Sequence, residues 1–340
     1  MKNEKILEVK GLKTSFFTHV GEIKAIRGVS FNLDKGEAIG IVGESGSGKS
    51  VTSLSVMGLL QYPGRVIDGE IHFKGQDLTK KSDKEMQSIR GNEIAMIFQD
   101  PMTSLNPVYT IGDQIMEAIR RHQGLNKHEA REKAIEMLKL VGIPSPEKRV
   151  DNYPHEFSGG MRQRAMIAMA LSCEPSLLIA DEPTTALDVT IQAQILELMK
   201  DLKDKINTSI ILITHDLGVV ADVCSRIVVM YGGLIMEEGS TDDIFYNPKH
   251  PYTWGLLKSI PRLDLNEKKR LVPIEGSPPD LLKPPKGCPF AARCPYAMKI
   301  CMEQLPEYYQ VDENHRSLCW LQDENAPRLE VDTGVQRGRA

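Results

Sequence analysis

The sequence lacks any apolar run approaching the roughly 18 residues that a membrane-crossing helix requires, which excludes such a helix among its 340 residues. Its opening Met1-Lys2-Asn3-Glu4-Lys5 is no secretory leader. A soluble, cytosolic chain is therefore expected, one that reaches a membrane only through another subunit. An excess of one charge is missing as well: 42 Lys and Arg stand against 46 Asp and Glu, for a net charge of −4, and the two signs are interspersed. No nucleic-acid face and no patch for acidic ligands stands out. There is no internal repeat. Cysteine is sparse, six in all, and the C-x2-C pair of most zinc knuckles does not occur.

What is present is concentrated in short motifs. Gly43-Glu44-Ser45-Gly46-Ser47-Gly48-Lys49-Ser50 fits G-x-x-x-x-G-K-[ST], and it is the only such run. Ala38 to Val42 before it reads as a buried strand, and Val51 to Leu60 after it as a helix. Glycines let the backbone wrap phosphates with its N–H groups pointing inward. The following helix aims roughly half a positive charge at the same point. A nucleoside triphosphate site is predicted, formed by residues 43–50 with Val51 and Thr52. Lys49 would reach the β- and γ-phosphates, and Ser50 would offer its hydroxyl to Mg²⁺.

Ser176-Leu177-Leu178-Ile179-Ala180-Asp181-Glu182 is an apolar strand ending in two carboxylates. Parallel to the first strand, it would bring Asp181 to the Mg²⁺ and Glu182 to an attacking water beside the γ-phosphate. A third apolar strand, Ile210 to Ile213, ends in Thr214-His215-Asp216, and His215 gains a role because two other strand ends already point at the phosphate. Phe157-Ser158-Gly159-Gly160-Met161-Arg162-Gln163-Arg164 supplies a second anion-binding helix start. Ser158 is a natural N-cap, Gly159 and Gly160 permit close approach, and Met161 to Leu171 reads as a helix. One triphosphate does not need two cradles from one subunit, so this one is expected to serve a nucleotide held by another subunit.

On these motifs the chain resembles the ABC ATPases, whose signature is usually Leu-Ser-Gly-Gly-Gln; Phe157 and Met161 depart from it and the Ser-Gly-Gly core is kept. The resemblance implies ATP as the nucleotide. It implies a Q-loop at Phe98-Gln99-Asp100, after the strand-like Ile94 to Ile97, with Gln99 sensing Mg²⁺ and water. Asp188, in Ala186-Leu187-Asp188, matches the D-loop that crosses the dimer interface, and His215 matches the switch histidine. Phe16 matches the aromatic on which adenine stacks, with Phe17 the weaker candidate and ordinary strand packing the alternative for either. The implied fold is α/β, a P-loop NTPase with a RecA-like core sheet, an antiparallel β-subdomain and a helical subdomain. Ile6, Leu7, Val9, Val29, Phe31 and Leu33 alternate as antiparallel strands would, within residues 5–42. Ile115, Ile119, Ala134, Met137, Leu138 and Val141 recur at helical spacing within residues 102–157, the expected contact to a transmembrane partner. Residues 227–239 read as a hairpin around Gly232-Gly233.

After Asn247 the composition shifts: 12 of the 20 prolines lie beyond it. A nucleotide-binding domain over residues 1–247 and a loop-rich extension over residues 248–340 are expected. His250-Pro251-Tyr252-Thr253-Trp254-Gly255-Leu256-Leu257 and Gly287-Cys288-Pro289-Phe290-Ala291-Ala292-Arg293-Cys294-Pro295 resemble the extension of the oligopeptide/dipeptide permease ATPases, and residues 98–107 share that likeness. The resemblance implies a bacterial or archaeal importer with a solute-binding protein, two permease subunits and a second, paralogous ATPase, working peripherally at the cytoplasmic face of the membrane. A homodimer, an importer of another solute such as nickel, and an exporter with the same motor are alternatives. So is a soluble ABC protein of DNA repair or translation, although the usual second nucleotide domain or long coiled coil is absent.

Four cysteines fall in the extension, Cys288, Cys294, Cys301 and Cys319, spaced C-x5-C-x6-C-x17-C. A cytosolic chain should not use disulfides, so the group suggests a metal site. Spacing alone favours zinc, with His315 as a competing ligand ahead of Cys319. Thiolate-only ligation and Cys-Pro pairs also suit an iron–sulfur cluster, and the resemblance implies 4Fe–4S. Cys173 and Cys224 sit in apolar contexts and read as small buried side chains.

Overall fold

Short apolar runs without a polar face become strands buried on both sides, and they set the frame here. In the computed structural model, which describes residues 4–100, 104–185, 188–206, 208–259 and 273–328, the principal strands are β1 Lys5–Thr18, β2 Gly21–Asp34, β3 Ala38–Val42, β4 Gly64–Phe73, β5 Ile94–Ile97, β6 Leu177–Asp181, β7 Ser209–Thr214, β8 Arg226–Tyr231 and β9 Leu234–Ser240, with the short β10 Tyr309–Gln310 and β11 Arg316–Ser317. The principal helices are α1 Lys49–Met57, α2 Asp83–Ile89, α3 Ile111–Gln123, α4 Lys127–Leu140, α5 Gly159–Leu171, α6 Val189–Ile206, α7 Leu217–Val223, α8 Thr241–Tyr246, α9 Pro251–Lys258 and α10 Lys299–Glu303. Two units form: one is built mainly from Phe73–Ile213, the other from Glu8–Asn32, Ile39–His72 and the chain from Thr214 onward.

In the first unit β5, β6 and β7 run parallel, with Ile97 opposite Ala180 and Asp181 opposite Ile213. Every residue of β5 and β6 is buried. The helical segment foreseen between Gln99 and Ser158 is α3 and α4 with shorter turns. Thr110 caps α3 by accepting the Asp113 N–H at 3.0 Å, and left-handed Gly124 ends it. An Asn126–Glu129 capping box starts α4. Ile111, Ile115, Met116 and Ile119 make the buried face of α3. The helices α3, α4 and α5 pack on one another, and α5 packs on β5. Truncating Ile115 or Ile119 to alanine would open a cavity there, at about 2–5 kcal/mol.

In the second unit β2, β1 and β4 lie side by side. Separately, β3 pairs in parallel with β8, and β8 turns back antiparallel into β9. The turn is Gly232-Gly233, with φ of 56° and 78°, two successive left-handed residues as a type I′ hairpin needs. The extension adds to this sheet: β11 pairs with β9, Glu237 opposite Ser317, and β10 pairs with β11. Fully buried Glu237 accepts the N–H groups of Lys249 and His250 and lies 2.8 Å from His315 Nε2. Glu238 pairs with Arg226 and Arg316. The chain on the two sides of Asn247, the C-cap of α8, is thus joined through buried acids.

Candidate functional site

The phosphate loop lies between β3 and α1 in the second unit. Gly43 has φ of 154°, and a Cβ there would stand 2.1 Å from the Met230 carbonyl oxygen. Gly48, left-handed at φ 105°, is the N-cap of α1, and a Cβ would meet Ile26 Cδ1 at 2.7 Å. Only glycine fits either position. Lys49 Nζ donates to the carbonyls of Gly43 at 2.7 Å and Glu44 at 3.0 Å, which fixes its ammonium against the loop. Ser47 donates its N–H to the Glu44 carbonyl at 3.2 Å and accepts from the Gly233 N–H at 3.1 Å, while its buried Oγ has no partner among the described residues. Ser45 and Gly46 are exposed, Ser50 and Val51 half-buried, and Thr52 is buried with its Oγ donating to the Gly48 carbonyl at 3.0 Å. Fixed N–H groups, a helix start and a held ammonium suit a phosphate chain.

In the first unit β6 ends at buried Asp181. Glu182 follows with φ of 47°, and its N–H donates to the Ile213 carbonyl at 2.8 Å. A non-glycine residue held there costs on the order of 1–3 kcal/mol and turns the side chain out of the strand direction. The Glu182 carboxylate accepts from Gln99 Nε2 and from Thr185 Oγ1, both at 2.9 Å. Register explains the first contact: with Ile97 opposite Ala180, two further residues on each strand bring Gln99 beside Glu182. Ser158 caps α5, its Oγ accepting the Met161 N–H at 3.4 Å, and Ser158 and Gly159 are exposed. The helix begins at Gly159, ahead of the expected Met161. Buried Gln163 of α5 donates to the Pro183 carbonyl, tying the signature helix to the turn after Glu182. Asp188 Oδ1 accepts the Ile191 N–H at 2.9 Å at the start of α6; Ala186 and Leu187 lie outside the described residues.

Exposed His215, in the second unit, stands between Thr214 and the α7 cap Asp216, whose Oδ1 accepts the Gly218 N–H at 2.8 Å. Phe16 is half-buried with its ring against Gly64, where a Cβ would stand 2.6 Å away. Phe17 is the more exposed, with the Arg65 guanidinium 4.2 Å from its ring centroid.

Cys288, Cys294, Cys301 and Cys319 line one cavity, together with His250, Phe290 and Trp320. The Cys288 N–H donates to the Cys301 carbonyl at 2.8 Å. Burial pushes the Cys288 thiol up to about 12 and Cys294 up to about 11, and it raises Cys319 as well. The ring of His250 accepts the Tyr252 N–H at Nδ1, 3.0 Å away. Burial drops its pKa to about 3, so the ring is neutral and its hydrogen sits on Nε2, which is buried with no partner among the described residues. His315 does not line the cavity, because Glu237 holds it. Two residues escaped the motif reading, His250 on this cavity and Arg293, which pairs with Glu44 of the phosphate loop. Both stand inside stretches read as a family likeness, with no role given to either side chain.

The family description "ABC transporter" matches residues 26–185, and "Oligopeptide/dipeptide transporter, C-terminal region" matches residues 236–301. The chain is 60% identical over 333 residues to the oligopeptide transport ATP-binding protein OppD of Bacillus subtilis (strain 168), covering 98% of this chain and 93% of that protein. It is 60% identical over 324 residues to the dipeptide transport ATP-binding protein DppD of the same organism, covering 95% and 96%. Among solved structures, a post-hydrolysis dimer of the ATP-binding cassette MJ0796 bound to ADP and Pi superposes with a TM-score of 0.63 at 28% identity, covering 69% of this chain and 98% of that one. With its phosphate loop, its signature helix and its four-cysteine extension, the chain belongs to the oligopeptide/dipeptide transport ATP-binding proteins of the ABC transporter family.

Proposed function

We propose that this chain is the ATP-hydrolysing subunit of a membrane importer of oligopeptides or dipeptides, working at the cytoplasmic face beside permease subunits and a second ATPase. The observation that carries this reading is the likeness along nearly the whole chain, extension included, to peptide transport ATP-binding proteins. No described helix is long and apolar enough to cross a membrane, which accords with separate permeases. Residues 1–247 would form the nucleotide-binding domain and residues 248–340 the extension. Val108, 72% exposed, and Tyr109, 55% exposed, enter α3 and offer apolar surface to a membrane partner.

In this reading Lys49 sets its charge against the β- and γ-phosphates, and Ser50 and Asp181 hold Mg²⁺. Bound Mg²⁺ would supply charge neutralisation on the phosphates. Glu182 takes the proton of the attacking water, Gln99 orients that carboxylate, and His215 contacts the γ-phosphate. Phe16 stacks on adenine. Ser158, Gly159, Gly160 and Asp188 serve the nucleotide of the partner ATPase. Lys49→Ala should weaken nucleotide binding about tenfold or more, read by titration of a fluorescent ATP analogue, because it removes charge from the phosphates themselves. Wild-type affinity would reject that role.

In the extension the four cysteines hold a 4Fe–4S cluster, which when bound would cross-link loops that have little core of their own. The thiolate-only set on one cavity supports a cluster, and buried His250 Nε2, without a partner among the described residues, lines the same cavity.

The test is assembly. The isolated chain should be a poor ATPase, and adding the permeases and the paralogous ATPase should raise turnover strongly. Ser158→Arg should abolish turnover in that complex without weakening ATP binding to the isolated chain. Full activity from a highly diluted monomer would reject the shared site. Pull-down of ribosomes or DNA in place of polytopic permeases would reject transport.

A further inference from the structure

A carboxylate inside a loop that surrounds a polyanion works against binding, and Glu44 is such a residue. It is held from the side of the extension at three atoms. Its N–H donates to the Tyr252 hydroxyl at 2.8 Å. Its Oε2 lies 2.6 Å from Arg293 Nη1 and its Oε1 3.1 Å from Arg293 Nη2, a two-pronged pairing that fixes direction as well as charge. Arg293 is itself immobilised: Nε donates to the Glu275 carbonyl at 2.8 Å, Nη2 to the Ile274 carbonyl at 2.9 Å, and Nη1 to the Tyr231 hydroxyl at 3.0 Å. Its side chain is only 6% exposed. The rings of Tyr231, Tyr252 and Phe290 pack around this junction, with centroids 4.6–5.4 Å apart. The Glu44 carbonyl accepts from Lys49 Nζ, so whatever fixes Glu44 also fixes the resting place of that ammonium. Arg293 stands between Cys288 and Cys294, both on the cysteine cavity.

We propose that Arg293 is a positioning residue for nucleotide binding: it holds the Glu44 carboxylate against the extension and cancels its charge, so that the phosphate loop meets phosphate as a net cation. The inference rests on reading the loop as the ATP site. Without Arg293, Glu44 becomes an uncompensated anion beside the phosphates, and like charges at such range repel more as salt falls.

Affinity of the full chain for a fluorescent ATP analogue, measured at low and moderate salt, tests it. Arg293→Met should raise Kd about tenfold, and more at low salt. Arg293→Lys should recover part of the loss, since it restores a charge without the fork. Adding Glu44→Gln to Arg293→Met should bring Kd back to within about threefold of wild type, which loss of fold could not do. Unchanged affinity in Arg293→Met, or a double variant as weak as Arg293→Met alone, would overturn the proposal. A wild-type chain that binds no nucleotide would overturn the ATP-site reading beneath it, and the proposal with it.

Discussion

Glu182→Gln is expected to cut ATP turnover in the assembled complex about 10²- to 10⁴-fold while leaving nucleotide binding intact. The amide keeps the shape of the side chain and one oxygen to accept from Gln99 Nε2 or Thr185 Oγ1, both now 2.9 Å from the carboxylate. It cannot take a proton, so the step in which water is deprotonated is the one that suffers. Binding does not depend on it, because the residues proposed to meet the phosphates are those of the loop and the first turn of α1, with His215, and Glu182 is not among them. An enzyme that binds but cannot hydrolyse should accumulate closed, ATP-bound dimers, visible as nucleotide retained through gel filtration. Steady-state turnover alone would not separate this from poor folding, so retention must be measured on the same sample. Wild-type turnover in the variant would remove Glu182 from the role of base, and loss of retained ATP would show a binding role instead.

The parts of the site that lie close in sequence were legible there. Apolar runs ending in Gly43 or Asp181 gave β3 and β6, since short runs without a polar face have few other outcomes. The limits of α1 were less clear: Val51 to Leu60 was expected, and the helix runs Lys49–Met57, because left-handed Gly48 and Gly58 cap it at both ends. Contacts between distant positions were not legible. Gln99 meets Glu182 through strand register across 83 positions, and Arg293 meets Glu44 across 249. The spacing of His315 before Cys319 suggested a metal ligand, yet its partner is Glu237, 78 positions away. Proline content marked Asn247 as a boundary, but composition says nothing of Glu237 and Glu238, which bind the chain beyond it. Local pattern fixes which residues carry chemistry; sheet register and buried charge pairs decide which of them meet.

Anaerobically purified chain is expected to be brown, with about four irons and four sulfides per chain, and Cys294→Ser should bleach it and open the extension to protease. The argument begins with the thiols. Burial raises Cys288, Cys294 and Cys319, so these three thiols keep their protons unless a cation displaces them. The cavity that these thiols line is also lined by His250, whose buried Nε2 has no partner among the described residues, a donor that a sulfur-rich cluster would use. The surrounding chain is largely irregular, with α10, two three-residue 3-10 helices and two-residue strands as its regular elements beyond residue 273 among those described. Metal–thiolate bonds would stand in for the core such a segment cannot build. Replacing one ligand should therefore be felt as proteolysis across residues 273–328 more than as a change in the first unit. Because Arg293 lies between Cys288 and Cys294, the same variant should also weaken nucleotide binding, and Arg293→Lys should not bleach the protein. Stoichiometric zinc without iron would reject the cluster, and metal-free protein with a protease-resistant extension would reject any metal there.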